Sequence, residues 1–375
     1  MKDDSASYYD SREFTELLAS YENMLTEGGS VYFDSMDIAN IAEYYTLSGE
    51  PDKSDAAIEY GLNLHPSDPD ILIAKANNLL LRGRKDEATV IAESIDDPDN
   101  QELVYLKGVI AIAADDPNTA DSYFTQAVEL SDHDPGMFND IIVKFMDNRY
   151  FELCQKWLDM ALVMSPDSRN FIELQADLFF DTGQADSAIE WYNHLLDEFA
   201  YDTYYWEQLG RIYYEKNDYP KAKECFEFIE AIEPDNTSAH MMKAGCLFSM
   251  EQWEEAFKIY RSLLDDDRSS YTLLYYCGRC LYELGNNDDA LFYLTDSLEM
   301  LMSDTDVPQE LYTELYYVMA SCYHRNGNPA QARTYLYEGL AIDPDDQDLQ
   351  ELAKQILPDE EASLFIDKTP DNNSN

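Results

Sequence analysis

The residues whose types and spacing come closest to chemistry are two thiols. Cys277-Gly278-Arg279-Cys280 has the C-x-x-C spacing of dithiol oxidoreductases, where a thiolate of lowered pKa attacks a disulfide. That chemistry needs one cysteine exposed at a helix N-terminus beside a βαβ pattern. Here both fall in the middle of a helical apolar pattern, where small thiols pack between helices. A zinc centre would need four converging ligands. Acidic runs at Asp96-Asp97-Pro98-Asp99, Asp265-Asp266-Asp267 and Asp343-Pro344-Asp345-Asp346 suggest calcium, but none has the D-x-[DN]-x-[DN]-G spacing with its closing Glu. Such carboxylates cap the next helix and solvate the surface. His65, His133, His194, His240 and His324 are scattered, with no HExxH motif and no recurrent Ser or Cys partner. A G-x-x-x-x-G-K-[ST] loop is absent as well. The expectation is a non-enzyme without catalytic residues, metal or cofactor.

Composition narrows the partners. In 375 residues, 25 basic side chains face 76 acidic ones, a formal charge of −51. That field repels phosphate backbones and anionic lipid headgroups and attracts cationic proteins or peptides. Apolar residues make up 45%, enough for a folded core and too much for an acidic coil. Met1-Lys2-Asp3-Asp4-Ser5 opens without an apolar h-region, and no run of eighteen apolar residues occurs. Six sparse cysteines do not make a disulfide scaffold. A soluble, cytoplasmic protein with reduced thiols is expected, with neither nucleic acid nor membrane insertion among its interactions.

The elements that must position any site recur. Ala120, Cys154, Ala188, Ala222, Ala256 and Ala290 follow at intervals of 34 residues, and four places further on stand Phe124, Leu158, Tyr192, Phe226, Tyr260 and Leu294. Gly108, Gly210 and Gly278, like Pro166 and Pro234, differ by multiples of 34. Trp206, Leu209, Ile212 and Tyr213 are spaced by three and four, as on one helix face. Small residues allow close helix crossings. Gly183, Asn217 and Gly285 suit the left-handed conformation between paired helices, and Pro234 and Pro344 stop the second helix.

With Trp206, Leu209, Gly210, Tyr213, Ala222, Phe226 and Pro234 in one 34-residue window, the chain resembles the tetratricopeptide repeat (TPR) family, whose pattern is W-x2-L-G-x2-Y…A-x3-F…P. The resemblance implies an all-α, right-handed α-solenoid of helix–turn–helix units. Counting outward gives nine: 35–68, 69–100, 101–134, 135–168, 169–202, 203–236, 237–270, 271–304 and 313–346. The second is two residues short, and an insertion around Ser303–Tyr312 precedes the last. Residues 1–34 are read as an N-terminal lead and capping helix, carrying Phe14, Leu17, Leu18, Tyr21 and Leu25 and ended by Gly28-Gly29. Residues 347–357, with Leu349, Leu352 and Ile356 on one face, are read as a C-terminal capping helix, and 358–375 as an acidic disordered tail.

The family also implies a concave surface lined by first helices, on which peptides lie. Transferred here, that face is polar or mixed in early units and aromatic later, where Phe180, Tyr204, Tyr214, Met241, Phe248, Tyr275, Tyr282 and Tyr317 interleave with Arg211, Arg279, His324 and Arg325. Rings and arginines suit an extended peptide, with Arg forking to a carboxylate. The carboxylate clamp of chaperone-binding members needs Lys where this chain has Ala39, Ile73, Tyr105, Asn139, Glu173, Glu207, Met241, Tyr275 and Tyr317, so chaperone tails are not expected ligands. Three functions are weighed: a scaffold or adaptor holding a protein or peptide partner, basic or with an exposed carboxylate; an acidic-surface binder or holding chaperone for basic proteins; and a redox or metal protein built on Cys277 and Cys280.

Overall fold

The structure is a computed structural model and describes residues 8–27, 31–267, 270–303 and 309–366. Among the described residues every regular element is a helix. Backbone contacts divide the chain into two compact units, residues 1–191 and 192–375.

Unit 1 opens with a 3-10 turn at Tyr8–Asp10. Its helices are α1 (Arg12–Glu27), α2 (Ser35–Leu47), α3 (Pro51–Leu64), α4 (Pro69–Leu81), α5 (Lys85–Ser94), α6 (Gln101–Ala113), α7 (Pro117–Leu130), α8 (Pro135–Asp147), α9 (Phe151–Met164) and α10 (Arg169–Asp181). The division between units falls within α11 (Ala185–Glu198). Unit 2 holds α12 (Thr203–Glu215), α13 (Tyr219–Ile232), α14 (Thr237–Ser249), α15 (Trp253–Asp266), α16 (Tyr271–Glu283), α17 (Asn287–Leu301), α18 (Gln309–Arg325), α19 (Pro329–Ile342), α20 (Gln347–Ile356) and α21 (Asp359–Ile366). From α2 to α10 in unit 1 and from α12 to α21 in unit 2 each helix packs on the next in sequence, and even-numbered helices also touch their even neighbours, α2 with α4, α4 with α6 and α8 with α10 in unit 1, α16 with α18 and α18 with α20 in unit 2. This is an all-α solenoid.

The helices begin and end for local reasons. Asp34, Asn100, Asp116, Asp134, Asp218, Asn236, Ser270 and Asp346 accept backbone N–H groups of the first turn, satisfying donors that the helix itself cannot. Asp346, from one of the acidic runs, is thus a helix cap. The bends inside successive pairs carry a left-handed residue at Gly49, Gly83, Asp115, Arg149, Gly183, Asn217, Glu251, Gly285 and Gly327. Their spacing is 34 throughout, apart from 32 between Gly83 and Asp115 and 42 between Gly285 and Gly327, where the sequence is short by two and long by eight.

The recurrent small-residue slot is the core of each pair. Ala120, Cys154, Ala188, Ala222, Ala256 and Ala290 are all fully buried, and Phe124, Leu158, Tyr192, Phe226, Tyr260 and Leu294 beside them are no more than 2% exposed. Burying each such large side chain is worth about 1.5–3 kcal/mol. The crossings are tight. A Cβ built on Gly210 would stand 2.7 Å from the Phe226 ring.

At the ends the structure corrects two expectations. On α1 the buried face is Phe14, Tyr21 and Met24, and Leu25 is 57% exposed, because Met24 completes the three-and-four spacing from Tyr21. Gly28-Gly29 lie outside the described residues. Residues 359–366, expected to be disordered, form α21: Ala362 is buried, Phe365 packs beside the Tyr337 ring, Tyr337 Oη donates to Glu361, and Gln350 Nε2 donates to the Phe365 carbonyl at 3.1 Å. An apolar pair inside an acidic segment is enough to fix it to α19 and α20. The rest of that tail, 367–375, lies outside the described residues.

Candidate functional site

Within unit 2, the even-numbered helices α12 to α18 and the start of α20 enclose a hollow of about 570 Å³. Its walls are aromatic: Tyr214 from α12, Phe248 from α14, Tyr275 and Tyr276 from α16 and Tyr317 from α18. Its charged groups are Arg279, Glu314, Asp346 and Asp348. A second, smaller hollow of about 270 Å³ shares Tyr317 and Asp348 with the first and adds Tyr282, His324, Arg325 and Glu351.

The rings hold one another in place. Tyr276 stacks on Tyr260 at 4.9 Å and meets Phe248 edge-on at 6.5 Å, and Tyr214 Oη lies 3.5 Å from Ser249 Oγ. Tyr275 is 5% exposed and donates its hydroxyl to Glu314 Oε2 at 2.8 Å, which fixes a carboxylate at the mouth. Burial, and then the Glu314 charge, push the Tyr275 phenol well above its ordinary range. Tyr317 is raised by burial first, then by Tyr282 and Asp348. These phenols stay neutral donors at physiological pH. Arg279 pairs with Glu283 on its own helix at 3.2 Å and lies 5.7 Å from the Tyr282 ring. Arg325 sits 3.9 Å over that ring and donates to the Tyr282 carbonyl at 3.2 Å.

Of the twelve residues singled out from the sequence, Tyr214, Phe248, Tyr275, Arg279 and Tyr317 line the larger hollow, and Tyr282, His324 and Arg325 join Tyr317 in the smaller. Tyr204 and Arg211 are exposed on α12, and Met241 packs half-buried against the cluster around Tyr260. Phe180 belongs to unit 1. Tyr275 and Tyr282, expected as an open contact surface, are each 95% buried and act mainly as wall, because neighbouring even-numbered helices close over them. Sequence reasoning also missed Glu314, Asp346 and Asp348. Among the described residues lining the hollow, Arg279 is the one Lys or Arg against the carboxylates of Glu314, Asp346 and Asp348.

The thiols cannot do exchange chemistry from where they lie. All six cysteines are free and buried, and burial pushes the thiols of Cys277 and Cys280 up to about 12, the opposite of a reactive pair. No group of three or more His, Cys, Asp or Glu converges as for a metal among the described residues, and no described helix is long and apolar enough to cross a membrane.

Comparison with known proteins agrees with the fold. Residues 215–297 match the family model described as anaphase-promoting complex, cyclosome, subunit 3, and residues 313–346 match a tetratricopeptide repeat model. The anaphase-promoting complex subunit CDC16 of Saccharomyces cerevisiae is 24% identical over 228 residues, 58% of this chain, which spans only 26% of that relative's length. Among solved structures, the Cut9–Hcn1 hetero-tetramer of the APC/C is matched over 95% of this chain and 70% of that one, at 17% identity and a TM-score of 0.45. A tetratricopeptide repeat protein from Parabacteroides merdae is matched over 69% and 99%, at 15% identity and a TM-score of 0.47. The 34-residue ladder, the stacked helix pairs and the repeat-model match over residues 313–346 agree: the chain is an all-α solenoid of tetratricopeptide-repeat type.

Proposed function

We propose that the chain is a non-enzymatic interaction scaffold that seats a segment of a partner protein against the even-numbered helices of unit 2, with a Lys or Arg side chain of the partner entering the larger hollow. The observation that carries this is the gathering of Tyr275, Tyr276 and Tyr317 around Glu314, Asp346 and Asp348, with Arg279 as the only opposing Lys or Arg among the described residues that line it. Aromatic walls give contact area at low entropy cost, and the Glu314 and Asp346 carboxylates, already held by hydrogen bonds, need little reorganisation to meet a cation. Similarity to subunits named for the anaphase-promoting complex supports a place inside a multi-subunit complex.

The test uses the full chain and a fluorescein-labelled pentapeptide with one central Arg and blocked ends. Glu314→Gln with Asp348→Asn keeps shape and removes charge, and should weaken binding by about fivefold or more. Arg279→Ala should strengthen it. If the first variant leaves affinity unchanged, the reading fails; if Arg279→Ala weakens binding, the hollow takes a carboxylate instead. The second reading, a holding surface for basic proteins spread over the acidic exterior, is favoured by the −51 charge and would lose affinity steeply between low and physiological salt.

A further inference from the structure

Unit 2 also holds a notch on its odd-numbered helices, with chemistry unlike that of the hollows. It measures about 380 Å³ and is bounded by α13, the N-terminal half of α14 and α15. Thr237, His240 and Lys243 follow at steps of three along α14, and Lys258 and Ser262 are four apart on α15, so each helix turns one row of polar side chains toward the notch. Ile259 and Leu263 supply its apolar lining. The balance of charge differs as well: two lysines and one histidine stand against Glu230 and Asp235 here, one arginine against three carboxylates in the larger hollow. In a chain with 25 basic and 76 acidic side chains, such a concentration of cations is a local exception.

Part of that charge is already engaged. Glu230 Oε2 accepts from Lys243 Nζ at 2.7 Å, and Glu230 Oε1 lies 3.7 Å from His240 Nε2. Lys243 is also 3.8 Å from Glu227, whose Oε1 accepts from Lys223 Nζ at 2.7 Å. This network neutralises Glu230 and ties α13 to α14. The side chains of Thr237, Lys258 and Ser262 stand outside it, with no partner among the described residues. Two hydroxyls and an ammonium around one small space suit an acceptor with several oxygens. A carboxylate has two; a phosphate monoester has three free ones and carries a charge of about −1.5 to −2. The charge of −51 and the exposed Asp235 repel a run of anions, so one compact anion fits where a nucleic acid or an anionic membrane does not.

We propose that this notch receives one phosphorylated serine or threonine side chain of a partner protein. Lys258 Nζ, Thr237 Oγ1 and Ser262 Oγ donate to the phosphoryl oxygens, Lys243 and His240 screen Glu230, and residues flanking the phosphate rest on Ile259 and Leu263. No residue of the notch lines either hollow, so failure here and failure of the hollow are separate results.

The probe is a blocked pentapeptide with a central phosphoserine between two leucines and without Lys or Arg, so that the larger hollow has no cation to take. Its unphosphorylated form and inorganic phosphate are compared with it. Binding to the full chain is read at physiological salt from the carbon-13-labelled Cδ1 methyl of Ile259, assigned by comparison with Ile259→Val. The phosphopeptide should shift that methyl saturably, the serine peptide should not, and inorganic phosphate should bind at least about threefold more weakly than the phosphopeptide. Lys258→Glu, at an exposed side chain outside the network, should weaken the phosphopeptide by about tenfold or more, and Thr237→Val, which keeps the shape, by about threefold. Absence of a saturable shift overturns the proposal, as does unchanged affinity in Lys258→Glu. Inorganic phosphate binding as tightly as the phosphopeptide also overturns it, because the notch would then hold a free anion. If Lys258→Glu lowers the melting temperature, Lys258→Gln takes its place, and an affinity within twofold or so of the parent chain there refutes the assignment.

Discussion

Gly210 and Gly245 both lie inside unit 2 helices, and the same substitution at each should move stability in opposite directions. Replacing a mid-helix glycine by alanine gains about 0.5–1 kcal/mol from backbone entropy wherever the methyl fits. At Gly245 it fits: the nearest atoms, on Tyr214 and Tyr260, are 3.8 Å from the added Cβ, an ordinary contact. Gly245→Ala should therefore stabilise by about 0.5–1 kcal/mol. At Gly210 the Cβ would lie 2.7, 2.9 and 3.1 Å from three carbons of Phe226, a fully buried ring that cannot swing into solvent. Overpacking of that kind costs about 1–3 kcal/mol, so Gly210→Ala should come out destabilising by up to about 2 kcal/mol after the helix gain is counted. Gly210→Leu should exceed 3 kcal/mol or so and unfold its helix pair. Urea unfolding followed by circular dichroism measures this, with midpoints compared because long repeat arrays depart from two-state behaviour. Equal midpoints for Gly210→Ala and Gly245→Ala would refute the argument from close helix crossing.

Two further outcomes follow from burial. The six thiols, with Cys154, Cys225, Cys246, Cys277, Cys280 and Cys322 each pushed up to about 12 by desolvation, should stay silent to a thiol reagent at pH 8 and react only in denaturant. Rapid native modification of Cys277 or Cys280 would reopen the dithiol reading. Stability should also respond to pH through Asp37, Asp70, Glu102 and Asp140, all raised in the folded chain chiefly by desolvation. Above their unfolded pKa values near 4 the folded state binds more protons, so the melting temperature should rise as pH falls from 8 toward about 5, and a monotonic fall over that range would count against it.

The repeat was legible because its cause is local and recurs. A small residue opposite a large ring, as at Ala222 and Phe226, leaves the same mark in every pair, and the left-handed bends at Gly183, Asn217 and Gly285 were readable from residue type. Arg149 and Glu251 adopt the same bend without any signal in their side chains, because the flanking helices impose it. The binding face was only half legible. Helical register places Tyr275, Arg279 and Tyr317 on one side of their helices, but whether a ring lines a hollow or seals a seam depends on how closely the next helix stands. The carboxylates were hidden by abundance: Asp346 and Asp348 look like any other acidic loop residue until α20 brings them beside Tyr317.

The bends hold a further consequence. Arg149 and Glu251 occupy a backbone region that costs an L-residue about 1 kcal/mol or more, at positions where other pairs use glycine. Asp115 and Asn217 share that region with side chains better suited to it, and neither Arg149 nor Glu251 lines the hollow of unit 2. An engineer wanting a sturdier repeat has a place to begin that leaves the residues lining that hollow alone, and any lineage that needed extra heat tolerance had the same door open.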